Sequence, residues 1–352
     1  MESLGEIIAG TRMGPPAGGR FRGSLILKLN YMAHILNGKN VLVTGGAGFV
    51  GSHLVEKLLD LGAKVFVFDI KLSQSGYFDS ENLKAKVTSI DGDLKSFEQV
   101  KKAIKDNSIE YIYHLGARVI VGESFVNPLE TFGSNIMGTA HVLEAARMLP
   151  EQVKGVFVAS SDKAYGKDCV NATEDQKVSG DHPYDSSKAA TDILARTYFE
   201  TYKLPVVVAR FGNIYGPGDI NLSRIVPGAM EAIIKDKVLE IRSDGKFTRD
   251  YLYVKDVAEG YAQMAEKLES IKGEAFNFST GLNLSVMEMV EKIGEIVGTK
   301  ITYEIVNNQQ NEIPVQSLNF EKAKKVLGWQ SKYSLEQGIK ETFEWYKNFL
   351  AK

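Results

Sequence analysis

Val41-Leu42-Val43-Thr44-Gly45-Gly46-Ala47-Gly48-Phe49-Val50-Gly51 is the stretch that decides the fold. Val41 to Val43 is an unbroken apolar run, the pattern of a strand covered on both faces. Phe49, Val50, Leu54, Leu58 and Leu61 then recur at helical spacing. Between strand and helix lies a glycine turn. Gly45, Gly48 and Gly51 fall where a chain must turn tightly, approach a phosphate and pack helix on strand. Amides at the start of such a helix can face a pyrophosphate. An ordinary glycine-rich turn would share the glycines but not this context.

Outward from this turn the alternation continues. Val65–Phe68, Val87–Ile90, Tyr111–Leu115, Val156–Ala159 and Val206–Ala209 read as further strands, and Ser96 as the N-cap of a helix. Strands separated by helical segments predict an α/β fold, a doubly wound parallel (Rossmann) sheet. After about residue 212 the rhythm changes, with loops at Gly216-Pro217-Gly218 and Pro227-Gly228. Ser285 with Glu288, and Ser334 with Gln337, fit capping boxes before two late helices. The expected organisation has three parts: a disordered N-terminal extension over residues 1–37, a dinucleotide-binding domain over 38–214 plus about 250–280, and a smaller, mostly helical C-terminal substrate domain over about 215–249 plus 281–352. In the extension, Gly14 to Gly19 is turn-rich. The run Leu25 to Leu29 is too short, and broken by Lys28, to serve as a signal peptide. Met32, just before the first strand pattern, is the expected natural start.

Composition narrows the function. The 352 residues carry 42 Lys plus Arg against 44 Asp plus Glu, a net charge of −2, which lacks the basic excess of a nucleic-acid binder. No apolar run approaches the roughly 20 residues that cross a bilayer. A single cysteine, Cys169, excludes an internal disulfide framework and a thiolate zinc cluster. The five histidines form no HxxxH-type pair, so no metal is expected. The expectation is a soluble, cytoplasmic protein with no nucleic-acid or membrane partner.

Asp69 closes the second strand, where a carboxylate accepts from a ribose 2′-hydroxyl and repels a 2′-phosphate. NAD is therefore favoured over NADP, a preference that Lys71 softens. Asp93, followed by Leu94, would lie near the adenine, although a plain turn aspartate looks the same. Tyr184 and Lys188 stand four apart, on one helix face. A lysine charge about 4 Å from the phenol, at an effective dielectric near 20, is worth roughly 4 kcal/mol, about three pKa units. That would bring the phenol to about 7, where it can take the proton of a secondary alcohol as hydride leaves. Ser161, just past the fifth strand, can hydrogen-bond the same hydroxyl.

With these residues the chain resembles an extended short-chain dehydrogenase/reductase of the nucleotide-sugar epimerase/dehydratase family over about residues 39–350. The likeness runs through Thr44 to Gly51, His114-Leu115-Gly116-Ala117, Asn135 with Gly138-Thr139, and Ser160-Ser161 to Tyr165-Gly166. It continues through Tyr184 to Lys188, Arg210-Phe211-Gly212-Asn213 and Arg249-Asp250-Tyr251. The resemblance implies that NAD stays bound and is recycled, and that hydride leaves carbon 4 of a hexose. It implies cofactor contacts from Gly45, Gly48, Phe49, Val50, Gly51, Asp69, Asp93, Leu94, Leu115, Gly116, Ala117, Tyr184 and Lys188. It places substrate contacts at Ser124, Asn213, Arg224, Ile225 and Arg249, the last an arginine fork suited to diphosphate. It also implies a homodimer built on residues 130–148 and 184–202.

The subclass turns on Asp162 and Lys163. In hexose 4,6-dehydratases of this family the residue after the catalytic Ser/Thr is an acid that protonates the departing 6-hydroxyl, and the next handles the carbon 5 proton. Ser161-Asp162-Lys163 is similar to the cytidine-sugar branch, CDP-glucose 4,6-dehydratase. A desolvated lysine can act as the base or stabilise an enolate. The expected catalytic set is Ser161, Asp162, Lys163, Tyr184 and Lys188. Residues 212–219 are closer to the general epimerase pattern, and an Asp-Lys pair also occurs in dehydratases of amino sugars. A 4-epimerase, needing Tyr184 and Lys188 but not Asp162, is the alternative; a non-catalytic NAD-binding scaffold is the third reading.

Overall fold

A computed structural model of the protein describes residues 34–72, 76–308 and 313–351. The expectations for residues 1–33, including the start at Met32, lie outside the described residues. Residues 34–37, expected to close a disordered extension, instead form a turn with Leu36 fully buried in the core.

The first half alternates strand and helix. In chain order come β1 (Asn40–Thr44), α1 (Phe49–Asp60), β2 (Lys64–Asp69), α2 (Tyr77–Ser80), β3 (Thr88–Asp91), α3 (Phe97–Asp106) and β4 (Tyr111–His114). Then follow α4 (Val121–Val126), α5 (Pro128–Phe132), α6 (Gly138–Arg147), β5 (Gly155–Ala159), α7 (Pro183–Tyr202), β6 (Val206–Phe211) and β7 (Asn213–Tyr215). The second half has α8 (Ile225–Lys235), β8 (Leu239–Ile241), β9 (Thr248–Tyr253), α9 (Val254–Ile271), β10 (Ala275–Phe278), β11 (Asn283–Ser285), α10 (Val286–Val297), β12 (Tyr303–Ile305) and α11 (Leu335–Leu350).

Among the described residues one sheet has seven strands, in the order β10-β6-β5-β4-β1-β2-β3, and every pairing in it is parallel. Its inner strands β1, β5 and β6 are largely apolar on both faces, as strands covered by helices on both sides are. Val41 and Val43 join Val65 and Val67 in a core with Leu54 and Leu58 of α1 and Val257 and Met264 of α9. Leu42, between them, points the other way, into a core with Ile112, Val142, Ala146 and Ala195. This period of two is the strand pleat expressed as two cores. Strand order reverses between β1 and β4, so the carboxyl ends of these strands open a crevice, the usual ligand position in such sheets.

The remaining elements form a third core over that crevice, with Met230 of α8, Tyr253 of β9, Ile293 of α10 and Ile339 of α11. Two small sheets, β11-β9-β7 and β12-β8, stiffen it. Both predicted capping boxes are present: Ser285 with Glu288 opens α10, and Ser334 with Gln337 opens α11. Ser96 caps α3 as expected, accepting from the Gln99 amide. The helical stretch expected over 130–148 is interrupted by a π-helical segment, Gly133–Met137, between α5 and α6. Within it the buried Asn135 accepts from the Arg118 amide at 2.7 Å and donates to Ser187 Oγ at 2.9 Å. A side chain tied to two other elements is a physical reason for the extra residue in that turn.

Candidate active site

The glycine turn opens directly over the crevice. Gly45 has φ +69°, and a Cβ there would lie 2.7 Å from Gly116 Cα. A Cβ at Gly51 would overlap the Gly45 carbonyl oxygen. Both positions therefore need glycine to keep α1 tight on β1 and the loop beside β4. The ends of β1 and β4 are fastened together: Thr44 Oγ1 bonds His114 Nδ1 at 2.8 Å and accepts from the Gly116 amide at 3.2 Å. Asp69 is buried at the end of β2 and accepts from the Ala47 amide at 3.2 Å, which brings its carboxylate to the glycine turn. Burial raises its pKa, and the amides of Lys71, Ala47 and Ile70 oppose that rise.

A cleft of about 1240 Å³ runs from this turn to the C-terminal elements. It exceeds the roughly 300–1,000 Å³ of a single small-ligand site, which leaves room for a dinucleotide and a second ligand. Its walls include Gly45, Gly48, Phe49, Val50, Gly51, Asp69, Asp93, Leu94, Leu115, Gly116 and Ala117 at one end. Ser161, Asp162, Lys163, Tyr184 and Lys188 line it further along, with Asn213, Arg224, Ile225 and Arg249 toward the C-terminal elements. Sequence positions spread over more than half the chain thus share one cavity. Ser124 is the exception. It is buried in α4, its hydroxyl donates to the Val121 carbonyl at 2.6 Å, and it is not among the described residues that wall the cleft. Its neighbours Val121, Gly122 and Glu123 do line the cleft. The reason is local: in so short a helix the hydroxyl bonds back to the preceding turn.

Tyr184 and Lys188 lie on the first turns of α7, both buried. Lys188 Nζ donates to the Ala159 carbonyl at 2.8 Å, and burial draws its pKa down to about 8. The Tyr184 phenol departs from expectation. Burial pushes its pKa up, and the charges of Asp162 and Asp185 add to that, while Arg224 and a hydrogen bond with Ser161 pull it down. Desolvating a phenolate is costly, and burial is the largest influence on this phenol. Arg224 is itself fixed by a two-pronged bond to the buried Asp219, 3.0 Å to each oxygen.

Ser161, two residues past β5, caps a short 3-10 segment, Asp162–Asp168, accepting from the Lys163 amide at 3.2 Å. Its hydroxyl donates to Asp162 Oδ1 at 2.8 Å. Asp162 is 2% exposed, and its Oδ2 has no hydrogen-bond partner among the described residues. Lys163 Nζ stands 3.8 Å from Asp162 Oδ1 and donates to Gln316 Oε1 at 3.0 Å. Behind this group, Asp250 is fully buried, and burial pushes its pKa up to about 6. Arg249 lines the cleft from β9, its Nη1 donating to the Thr248 carbonyl at 3.0 Å and the Ile313 carbonyl at 2.7 Å. Gln316 was not legible in the sequence: it belongs to no motif and reaches the site from a loop near the C-terminus.

The residues present fit a dinucleotide: glycines where side chains would fill the cradle, a carboxylate at the loop, and a buried Tyr-Lys pair further along. A family model described as GDP-mannose 4,6 dehydratase matches residues 42–342. Human dTDP-D-glucose 4,6-dehydratase is 31% identical over 325 residues, 88% of this chain and 90% of the relative. UDP-glucose 4-epimerase of Bacillus subtilis is 30% identical over 328 residues, covering 87% and 96%. The chain spans only 47% of an Arabidopsis thaliana relative, a trifunctional UDP-glucose 4,6-dehydratase/UDP-4-keto-6-deoxy-D-glucose 3,5-epimerase/UDP-4-keto-L-rhamnose-reductase, to which it is 31% identical over 326 residues, 88% of this chain. Among solved structures, an epimerase from Methanothermobacter thermautotrophicus superposes with a TM-score of 0.81 at 28% identity, over 90% of this chain and 94% of that one. The dTDP-glucose 4,6-dehydratase of Bacillus anthracis, in complex with NAD, gives 0.78 at 28%, over 88% and 97%. The chain thus belongs to the GDP-mannose 4,6 dehydratase family, and it is an enzyme of the NAD-dependent nucleotide-sugar dehydratase and epimerase kind.

Proposed function

We propose that this enzyme is a nucleotide-sugar 4,6-dehydratase, converting a nucleotide hexose to its 4-keto-6-deoxy product with loss of water. The observation that carries this reading is the buried Asp162, with an unpartnered Oδ2, beside Lys163 in the cleft wall and one residue from Ser161. A 4-epimerase needs one proton acceptor, whereas removal of water needs a second acid-base pair, and this is such a pair.

The NAD-holding residues are Gly45, Gly48, Phe49, Val50 and Gly51 at the turn, Asp69 at the ribose, Asp93 and Leu94 toward the adenine, and Leu115, Gly116, Ala117, Tyr184 and Lys188 along the cleft. Bound there, NAD would supply the acceptor for hydride from carbon 4, the donor for its return to carbon 6 and, in its oxidised form, a positive charge. Tyr184 takes the 4-hydroxyl proton, oriented by Ser161 and favoured by the pull of Arg224 on the phenolate. Lys188, tied to the Ala159 carbonyl, holds its amine at a fixed place one helical turn on. Lys163 takes the carbon 5 proton, made acidic by the 4-keto group, as that electron pair forms the enolate. The enolate then expels the 6-hydroxyl, which leaves as water with the proton of Asp162. Return of hydride to carbon 6 and of a proton to carbon 5 completes the product with no net redox change. Asn213 and Arg249 bind the diphosphate, and Arg224 and Ile225 lie against the base. Cytidine is the proposed base, on the likeness of Ser161-Asp162-Lys163 to the CDP-glucose branch.

Replacing Asp162 tests the assignment. Asp162→Asn is expected to stop water loss while a 4-keto hexose still forms, trapped by borodeuteride as a sugar labelled at carbon 4. Normal dehydration by this variant would contradict the roles given to Asp162 and Lys163. The second reading, a 4-epimerase, is favoured by the epimerases found at similar identity.

A homodimer accompanies this proposal, packed through α5 to α6 and α7, where Leu129 (82% exposed), Met137 (51%) and Ile193 (53%) stand in solvent. Large apolar groups clustered on such faces suit burial against a second copy. A cytoplasmic setting also belongs to the proposal. Among the described residues no helix is long and apolar enough to cross a membrane.

A further inference from the structure

Gln316 reaches the cleft from the loop between β12 and α11. Its amide donates to the Thr248 carbonyl at 3.1 Å, next to the bridge between Val315 and Thr248, and Leu318 makes a second bridge to Ala172. The backbone is thus pinned on both sides, and the side chain is 1% exposed. Its Oε1 accepts from Lys163 Nζ at 3.0 Å. An ammonium only donates, so the oxygen must be the atom facing Lys163, and this settles which way the amide is turned. Among the described residues Nε2 is then left without a partner, as is Oδ2 of Asp162 in the same wall. Buried donors and acceptors left unmet are costly, on the order of 1–3 kcal/mol each. A sugar hydroxyl, donor and acceptor in one group, is the chemistry that meets both.

We propose that Gln316 is a positioning residue of the dehydration step, holding the Lys163 amine at the hexose and giving its free amide hydrogen to a sugar hydroxyl. The inference rests on the dehydratase reading, because that reading assigns Lys163 the carbon 5 proton. The charged and titratable groups beside Lys163 or in and behind the same cleft wall come from several elements. Asp162 and Cys169 come from its own segment, Tyr184 from α7, Asp250 and Arg249 from β9, and Arg224 from the start of α8. They are unchanged in a position-316 variant, so a comparison of variants isolates the glutamine.

The test is the pH dependence of kcat for water loss, followed by mass spectrometry from about pH 6 to 10, for wild type, Gln316→Glu and Gln316→Leu. The base must be neutral to act, so activity rises with pH along one limb. A carboxylate at 316 favours the protonated amine and moves that limb up by about one pH unit, a loss of about tenfold below it. Leucine removes the acceptor, moves the limb down, and raises KM several-fold through the lost amide donor. Opposite displacements by an isosteric and an apolar replacement are not the mark of a merely structural residue. NAD affinity and melting temperature, compared with wild type, show that the variants are folded. A limb that stays in place in folded Gln316→Glu overturns the proposal and leaves the dehydratase reading intact. No water loss by wild type from any nucleotide hexose overturns both.

Discussion

Tyr184 is the proposed proton acceptor of either reaction, and its surroundings show why proximity to a lysine is not enough. Burial opposes ionisation of the phenol, as do the charges of Asp162 and Asp185, while Arg224 and Ser161 favour it. Burial therefore favours the neutral phenol. The positive charge that oxidised NAD would bring to the cleft is expected to favour its ionisation. Tyr184→Phe keeps the ring and its packing but removes the acceptor. Turnover is expected to fall by about 10²- to 10⁴-fold, with NAD affinity close to that of wild type by calorimetry. Undiminished turnover would remove the phenol from the mechanism.

Elements are held in register around the cleft by two buried histidines. His53 of α1 bonds the Pro217 carbonyl at 2.8 Å and stacks on Tyr77 at 3.8 Å, joining the glycine-turn helix to the loop that leads to Arg224. His114 of β4 joins Thr44 of β1 and Thr139 of α6. Burial draws the first down to about 4 and the second to about 3, so both are neutral in the folded protein at physiological pH. Between pH 4 and the ordinary value near 6.5 the unfolded chain binds the His53 proton and the folded chain does not. Stability therefore rises with pH across that window and is lost on acidification, by roughly 2–3 kcal/mol from His53 alone at about pH 4.5. Asp250, whose pKa is raised to about 6, works in the opposite sense but equally in any His53 variant. His53→Gln, which keeps a donor for Pro217, is expected to lose less melting temperature than wild type between about pH 7 and pH 4.5. An equal loss in both would contradict this account.

At the scale of the whole molecule, the sheet was legible because its signal is local. Val41 to Val43 and the equivalent runs needed only period-two burial, and Ser285, Ser334 and Ser96 announced their helices through capping chemistry. Within the cleft, side chains carried by strand ends and by the first turns of α7 were predictable because sheet topology fixes where those ends lie. What the sequence left hidden depends on contacts between distant segments. The tie between Gln316 and Lys163 spans more than 150 positions. The Asn135 pin that marks the π-helical segment needs Arg118 and Ser187, and the Tyr184 phenol is governed by burial that no spacing records. Ser124 shows the converse, a position assigned by likeness whose hydroxyl is taken up by its own helix. The central claim is that this assembled cleft removes water. The measurement that tests it most directly is mass spectrometry of the enzyme with NAD and a panel of nucleotide hexoses, beginning with CDP-glucose. The account predicts a product lighter by one water from one member of the panel. A product of unchanged mass at a new chromatographic position would make the enzyme an epimerase and leave Asp162 and Lys163 outside the reaction.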